Sequence, residues 1–364
     1  MSINRDPVLV DFALQGGGSH GAFTWGVLDQ LLEDERLYIE AVSGTSAGAM
    51  NAVALADGMA RGGTAEARKC LENFWAATSA AARHSPIRRS LIDTFMGNWS
   101  LDNSPAYILM DHLSRVLSPY DTNPMNFNPL REVVAGAIDF DAVNGAGRPQ
   151  VFLTATNVRT GRPKIFRQPE IKLDCVMASA CLPFMFKAVE IDGEAYWDGG
   201  YMGNPALFPL VDECEPGDLV LIQINPFYRP DIPKSARDIQ NRLNEITFNA
   251  ALLKELRSLA FLWEVIHHEN LEREAYRDSR VHAIYDEETM LGLGVSSKLN
   301  AEWAFLTYLR DQGKKAAQKW LSLHYDDLGV RNSLDLTWIF DESVKPAHLP
   351  EGVDRKYAIG AATR

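Results

Sequence analysis

The residues best placed to do chemistry are Gly44-Thr45-Ser46-Ala47-Gly48. An apolar run, Ile39-Glu40-Ala41-Val42-Ser43, leads into them, and a segment rich in small residues follows. A strand, a G-x-S-x-G turn and a helix form the setting of a nucleophile elbow. The two glycines let the backbone turn sharply and let neighbouring elements come close. Ser46 then projects from a helix N-terminus, where unpaired N–H groups and the helix dipole favour negative charge. The chemistry implied is attack of a serine hydroxyl on a carbonyl. The bland alternative is a serine that merely caps a helix.

A second feature lies upstream. The apolar run 8–14 precedes Gln15-Gly16-Gly17-Gly18-Ser19-His20-Gly21, and helical spacing of apolar residues follows from Ala22 to Leu32. Gly16, Gly18 and Gly21 satisfy G-x-G-x-x-G, a dinucleotide fingerprint. That reading needs an acidic residue at the end of the next strand to hold a ribose. Here the next strand runs straight into the serine turn, and Glu40 lies at its wrong end. A glycine strip can instead aim backbone N–H groups at an oxyanion. With a candidate nucleophile one β-unit away, the oxyanion reading is preferred for Gly16, Gly17, Gly18 and Ser19.

The third feature is Asp198-Gly199-Gly200. Alone it reads as a turn. It follows Ala178-Ser179-Ala180-Cys181-Leu182-Pro183 and a hairpin over 188–197 with Asp192-Gly193 at its tip. Taken together, these motifs resemble the patatin-like phospholipase family, lipid acyl hydrolases with a Ser–Asp dyad. The matches are the strip Gly16 to Gly21, the elbow Gly44 to Gly48, the Ala178 to Pro183 segment and Asp198-Gly199-Gly200, in the family's order over 8–210. The resemblance implies Ser46 as nucleophile and Asp198 as base. Gly21, Gly44, Gly48, Gly199 and Gly200 support the motifs. No metal and no cofactor is implied, and acidic clusters such as Asp286-Glu287-Glu288 lack the EF-hand pattern.

The chain departs from the family at one position. Where relatives carry Arg or Lys after the glycine strip, this chain has His20. If its ring faces the site, protonation below a pKa of about 6.5 adds positive charge near the oxyanion. If the ring faces solvent, it does nothing. His20 is therefore a candidate modulator.

The implied mechanism has two acyl-transfer steps. Asp198 takes the Ser46 proton directly, an acyl-enzyme forms, and Asp198 then activates water. A carboxylate with an ordinary pKa of about 4 is a weak base for a hydroxyl, so burial beneath a cap is expected to raise it. A triad using His267, His268, His282 or His324 satisfies the chain order Ser, acid, His. Position argues against it, because only one strand precedes the strand feeding Ser46. Substrates implied by the resemblance are acyl esters of phospholipids or neutral lipids. An intracellular polyester, a thioester, and a catalytically silent lipid-sensing scaffold stay open.

The 364 residues are 46 % apolar, enough for a sizeable core. Cys70, Cys175, Cys181 and Cys214 show no metal or disulfide spacing and suit buried filler. The 36 basic and 48 acidic residues give a net charge of −12, which argues against nucleic acid. No signal peptide and no run of about 18 apolar residues is evident, so the expected location is cytoplasmic, with peripheral, transient contact to membrane or lipid surfaces. Alternating strand and helix signals predict an α/β fold, a three-layer α/β/α sandwich with a mainly parallel sheet. Strands are expected at 151–157, 219–225 and, more weakly, 281–285. Helices are expected at 62–82, 105–117, 235–277 and 298–323, with 118–129 irregular. The predicted organisation is a single catalytic domain over 1–330, containing a helical cap insertion at 62–130, and an irregular tail over 331–364. Phe95, Met96, Trp99 and Leu101, after Arg88 and Arg89, form an apolar cap cluster that suits a lid or core packing. Phe184, Met185 and Phe186 suit an acyl tunnel or the core.

Overall fold

A computed structural model describes residues 7–215, 217–268 and 279–339. Its centre is one sheet of eight strands among those residues, with β5-β6-β3-β2-β1-β7-β8 in hydrogen-bonded order and β4 also paired to β3. The strands are β1 (Val8–Leu14), β2 (Leu37–Gly44), β3 (Gln150–Asn157), β4 (Pro163–Arg167), β5 (Val189–Ile191), β6 (Glu194–Asp198), β7 (Asp218–Ile222) and β8 (Arg280–Ile284). The run β3-β2-β1-β7-β8 is parallel, and β4, β5 and β6 add antiparallel pairings at one side. β1 is flanked by parallel strands, so both its faces are covered and it reads as a nearly continuous apolar run.

Side chains alternate between two cores. Val220 and Ile222 of β7 join one cluster, while Leu219 and Leu221 join the other. The first cluster holds α1 (Gly21–Asp34), α2 (Ala47–Ala82) and α5 (Trp303–His324), through Phe23, Leu28, Leu55, Phe305 and Leu309. The second holds α4 (Ala236–His268), through Leu252 and Leu256, and the short helix Phe208–Glu213, through Leu210. A further helix, α3 (Leu173–Ser179), packs beside β3 and β6. The result is the three-layer α/β/α arrangement with a mainly parallel sheet.

Several details differ from the sequence reading. α2 runs to Ala82, but Gly62 and Gly63 leave helical geometry, Gly63 with φ of +71°, so a second helix does start there. That second helix is not detached from the body, since Ala67, Leu71, Phe74 and Trp75 are buried in the first core. The helix Pro129–Ala137 contributes Val133 and Val134 to the same core. The exposed part of the insertion is narrower and contains the helices Leu91–Phe95, Pro105–Ser114 and Pro119–Thr122. The last of these lies in a stretch expected to be irregular. Helix α5 starts at Trp303, and residues 295–299 form a separate 3-10 turn. β4 escaped the sequence reading because it is a short edge strand with Pro163 at its start and charged Lys164 and Arg167. Of the expected tail, residues 332–334 pair with β8, where Leu334 N–H donates to Val281 O at 3.1 Å, and residues 337–339 lie against α4. Residues 340–364, and the end of the expected 235–277 helix, lie outside the described residues.

Candidate active site

Parallel α/β sheets place ligands at the carboxyl ends of their strands. The glycine strip follows β1, Ser46 follows β2, and Asn225 follows β7. Asp198 ends β6 and pairs with Ala155, two residues beyond the β3 residue Leu153 that pairs with Gly44. β3 therefore stands between the two expected dyad residues and holds them at one level. Gly199 closes the gap, because a Cβ there would meet Thr154 O and lie 3.0 Å from the Thr45 methyl.

The elbow is strained. Ser46 has φ of 55° and ψ of −119°, uncommon for a residue with a side chain. The neighbouring structure holds it there. Gly44 and Gly48 approach so closely that a Cβ on Gly44 would meet Gly48 O at 2.5 Å. Thr45 Oγ1 donates to Gly203 O and Ser43 Oγ to Ala206 O, each at 2.6 Å, tying the elbow to the segment after Asp198. Ser46 N–H donates to Ser179 Oγ at 2.9 Å, which gives the Ala178-Ser179 motif a structural role. The Ser46 side chain caps no backbone group in α2, so the simple N-cap reading does not describe it.

Asp198 is fully buried. Its Oδ1 accepts from Gly200 N–H at 2.7 Å, and its backbone is held by Cys181 O and Thr156 Oγ1. Oδ2 closes no hydrogen bond of good geometry among the described residues. The Ser46 hydroxyl is nevertheless close enough to favour the ionised carboxyl. Burial is the larger effect and pushes the Asp198 pKa up to about 7, against the pull of Gly200 N–H, Ser46 and the Lys298 ammonium. That value suits a general base working near neutrality.

The strip divides in two. Gly16 N–H donates to Asn204 Oδ1 at 2.7 Å, so Gly16 anchors the strip and its N–H is not available to an oxyanion. This corrects the expectation for that residue. Gly17 and Gly18 N–H groups donate to no acceptor among the described residues, and Gly18 is exposed with φ of +58°. Ser19 is buried at the start of the short 3-10 turn leading into α1.

His20 takes neither of its two expected places. It is buried, its Nε2 lies 2.8 Å from Ser297 Oγ, and its ring meets Phe305 edge-on. The Ser297 hydroxyl already donates to Gly294 O, so its oxygen accepts from Nε2–H and the ring is the neutral Nε2 tautomer. Burial, then Lys298 and Arg229, hold its pKa well below 6.5. His20 therefore braces the 295–299 turn and carries no charge at neutral pH. His20→Ala is expected to cost about 1–3 kcal/mol of stability through the lost hydrogen bond and cavity, and to leave the acid limb of the rate profile in place. Denaturant titration and a pH–rate profile check both halves, and a shifted acid limb would restore His20 to the site.

Two histidines of the alternative triad, His282 and His324, are engaged elsewhere. His282 Nε2–H donates to Asp218 Oδ1 at 2.9 Å, and its Nδ1 lies 3.0 Å from Ser333 Oγ. This is a Ser–His–Asp constellation in outline, but all three side chains are buried. Asp218 also accepts from Arg280 and from Gly329 N–H, and Asp218 and Arg280 open β7 and β8, at the opposite ends from Ser46. The cluster clamps residues 329–333 to the sheet. His324 pairs with Asp327 at 2.8 Å, and the side chains of His267 and His268 lie outside the described ones.

Sequence reasoning missed Lys298, Asn204, Asn225 and Phe248. Asn225 Nδ2–H donates to Gly16 O at 2.8 Å, and Lys298 Nζ donates to Asn225 Oδ1 at 2.8 Å. The only signal available was the missing cation at position 20. Among the described residues no group of His, Cys, Asp and Glu could hold a metal ion, and the four cysteines are buried.

A model of the patatin-like phospholipase family matches residues 12–211, more than half of the chain. The chain belongs to the patatin-like phospholipase family. That places it among the lipid acyl hydrolases. Among solved structures, VipD from Legionella pneumophila is 14 % identical, over 85 % of this chain and 67 % of that one, with a TM-score of 0.36. The ExoU–SpcU complex from the type III secretion system of Pseudomonas aeruginosa is 15 % identical, over 87 % of this chain, with a TM-score of 0.35. This chain spans 52 % of the length of that structure's matched chain. No curated protein matches it.

Proposed function

We propose that this family member cleaves fatty-acyl esters of phospholipids or neutral lipids through a Ser46–Asp198 dyad. The observation that carries the reading is the buried Asp198 carboxyl, its pKa pushed up to about 7, beside the hydroxyl of a strained elbow serine. Ser46 Oγ attacks the ester carbonyl carbon while its proton passes to Asp198. The tetrahedral oxyanion meets the N–H groups of Gly17 and Gly18 and those at the start of α2. The alkoxide of the leaving alcohol takes the proton back from Asp198, which leaves Ser46 acylated. Water then attacks the acyl carbon, giving its proton to Asp198, and the oxyanion collapses to release the fatty acid as Asp198 returns that proton to the departing Ser46 Oγ. A fluorophosphonate probe is expected to label Ser46. Absence of labelling on folded protein would favour the silent scaffold. Hydrolysis of p-nitrophenyl esters of graded chain length, then of a phospholipid panel, assigns the acyl and head-group preference.

The same reading takes 1–330 as one catalytic domain with 62–130 inserted, and gives the exposed part of the insertion the task of meeting lipid. The apolar cap cluster splits. Leu101 is buried and Trp99 stacks on Phe305 and Tyr308, while Leu91 and Phe95 are each 90 % exposed and Met125 is 91 % exposed. Phe184 is also on the surface. Exposed apolar groups of this kind suit contact with a lipid surface. The contact proposed is peripheral, and no helix among the described residues is long and apolar enough to cross a membrane. Leu91→Ser with Phe95→Ser is expected to lower hydrolysis of vesicle phospholipid about tenfold, because less apolar area enters the interface. Hydrolysis of a short, water-soluble ester should be unchanged. Equal losses on both substrates would remove the interfacial role.

A further inference from the structure

We propose that Lys298 supplies the fixed positive charge that the glycine strip lacks, steadying the negative charge that develops on the substrate carbonyl oxygen. The inference rests on the Ser46–Asp198 reading. Its starting point is a contact. The 295–299 turn lies against Gly18 so closely that the Lys298 carbonyl fills the space a Cβ on Gly18 would need. Lys298 Cβ stands 3.3 Å from that same position. The side chain then runs inward along the strip.

At its end, Nζ donates to Asn225 Oδ1 at 2.8 Å and to Asn244 Oδ1 at 3.4 Å. Asn225 is bonded in turn to Gly16 O. On the other side, Nζ lies 5.7 Å from the centre of the Phe248 ring, and that ring covers Gly200, two residues from Asp198. The ammonium is thus bracketed between the oxyanion strip and the base. An ammonium has three N–H groups. Two go to amide oxygens and the third has no acceptor among the described residues. A lysine held for structure alone is expected to sit on a carboxylate, since burying an unpaired charge is costly. Here the nearby carboxylate Glu245 is taken by Arg229 and Arg242. His20 braces this turn through Ser297, so the position that lost the family's cation now holds the element that brings one.

The charges facing Nζ set its titration. Burial lowers the Lys298 pKa, Glu245 and Asp198 raise it, Arg229 lowers it, and the balance is about 8. Neutral His20 adds no charge. The help of Lys298 is therefore present below about pH 8 and fades above it.

The test measures kcat and kcat/KM for p-nitrophenyl butyrate from pH 5 to 10. It compares the parent chain, Lys298→Met and Lys298→Arg, with Ser46→Ala alongside. The parent is expected to lose activity along an alkaline limb near pH 8. Lys298→Met should lose roughly 100-fold in kcat, as for an oxyanion donor, and lose the limb. Lys298→Arg should recover most of the rate and keep it to pH 10, because a guanidinium stays charged. A parent profile that is flat from pH 7 to 10 overturns the proposal, and this holds even if Lys298→Met does not fold. Parental kcat in folded Lys298→Met also overturns it. Activity surviving in Ser46→Ala would instead overturn the Ser46 reading.

Discussion

Ser46→Ala is expected to remove measurable ester hydrolysis while the protein stays folded. The change deletes one oxygen that bonds no backbone group in α2. It keeps Cβ, so the strained backbone at φ of 55° is neither relieved nor worsened. Ser46→Gly separates strain from chemistry. Glycine adopts positive φ without a steric penalty, and strain of this kind costs on the order of 1–3 kcal/mol. The glycine variant should therefore be inactive and also more stable than the parent by about 1 kcal/mol. Circular dichroism, denaturant titration and rates with a p-nitrophenyl ester measure all three outcomes. Residual turnover in Ser46→Ala well above background would exclude Ser46 as nucleophile.

The parts of this site that were legible in the sequence are the local ones. The elbow, the strip and the Asp198 turn each lie within a few residues, and each is bounded by a strand whose apolar run stands out. β1, β2, β3 and β7 are recognisable because a strand inside a parallel sheet is covered on both faces, while β8, at the edge of the sheet, gives a weaker signal. The 188–197 hairpin was legible from Asp192-Gly193, which the structure places at φ of 52° and 80°. What was not legible depends on contacts between distant parts of the chain. Asn204 meets Gly16 across 188 positions, and Asn225 meets it across 209. Neither asparagine belongs to a motif, and nothing in the local pattern around Lys298 marks it as part of a site. Composition reads the insertion as a unit because its helices look alike. Burial separates them, putting Phe74 in the core and Phe95 in solvent. His282 makes the same point from the other direction. A histidine between an acid and a serine is a chemical signature only where a substrate can reach it, and burial of all three makes the cluster a clamp.

The second large effect is expected at Asp198, and it has opposite signs for rate and stability. Asp198→Asn should lower turnover by several orders of magnitude, since the amide cannot accept the Ser46 proton. In the parent, kcat/KM should rise with pH until the carboxyl is ionised at about 7. The same carboxyl is a burden on the fold. Its folded pKa is raised from 3.8 to about 7, so between those values the folded chain binds more protons than the unfolded one. By linkage, stability falls as pH rises through that window, and the loss is complete above pH 7. Asparagine keeps an oxygen for Gly200 N–H and carries no charge. Asp198→Asn should therefore match the parent near pH 4 and exceed it at pH 8 by a few kcal/mol, on the order of one pKa unit per 1.4 kcal/mol. His324→Ala should leave the rate per folded molecule intact. His282→Ala should lower the melting temperature by breaking the Asp218 clamp, again without touching the chemistry. Melting curves for Asp198→Asn and the parent at pH 4 and pH 8, with turnover at each pH, decide the matter. An Asp198→Asn variant that is dead but no more stable at pH 8 would mean that Asp198 is not a base raised by burial. A histidine variant as inactive as Asp198→Asn, while fully folded, would replace the dyad with a triad.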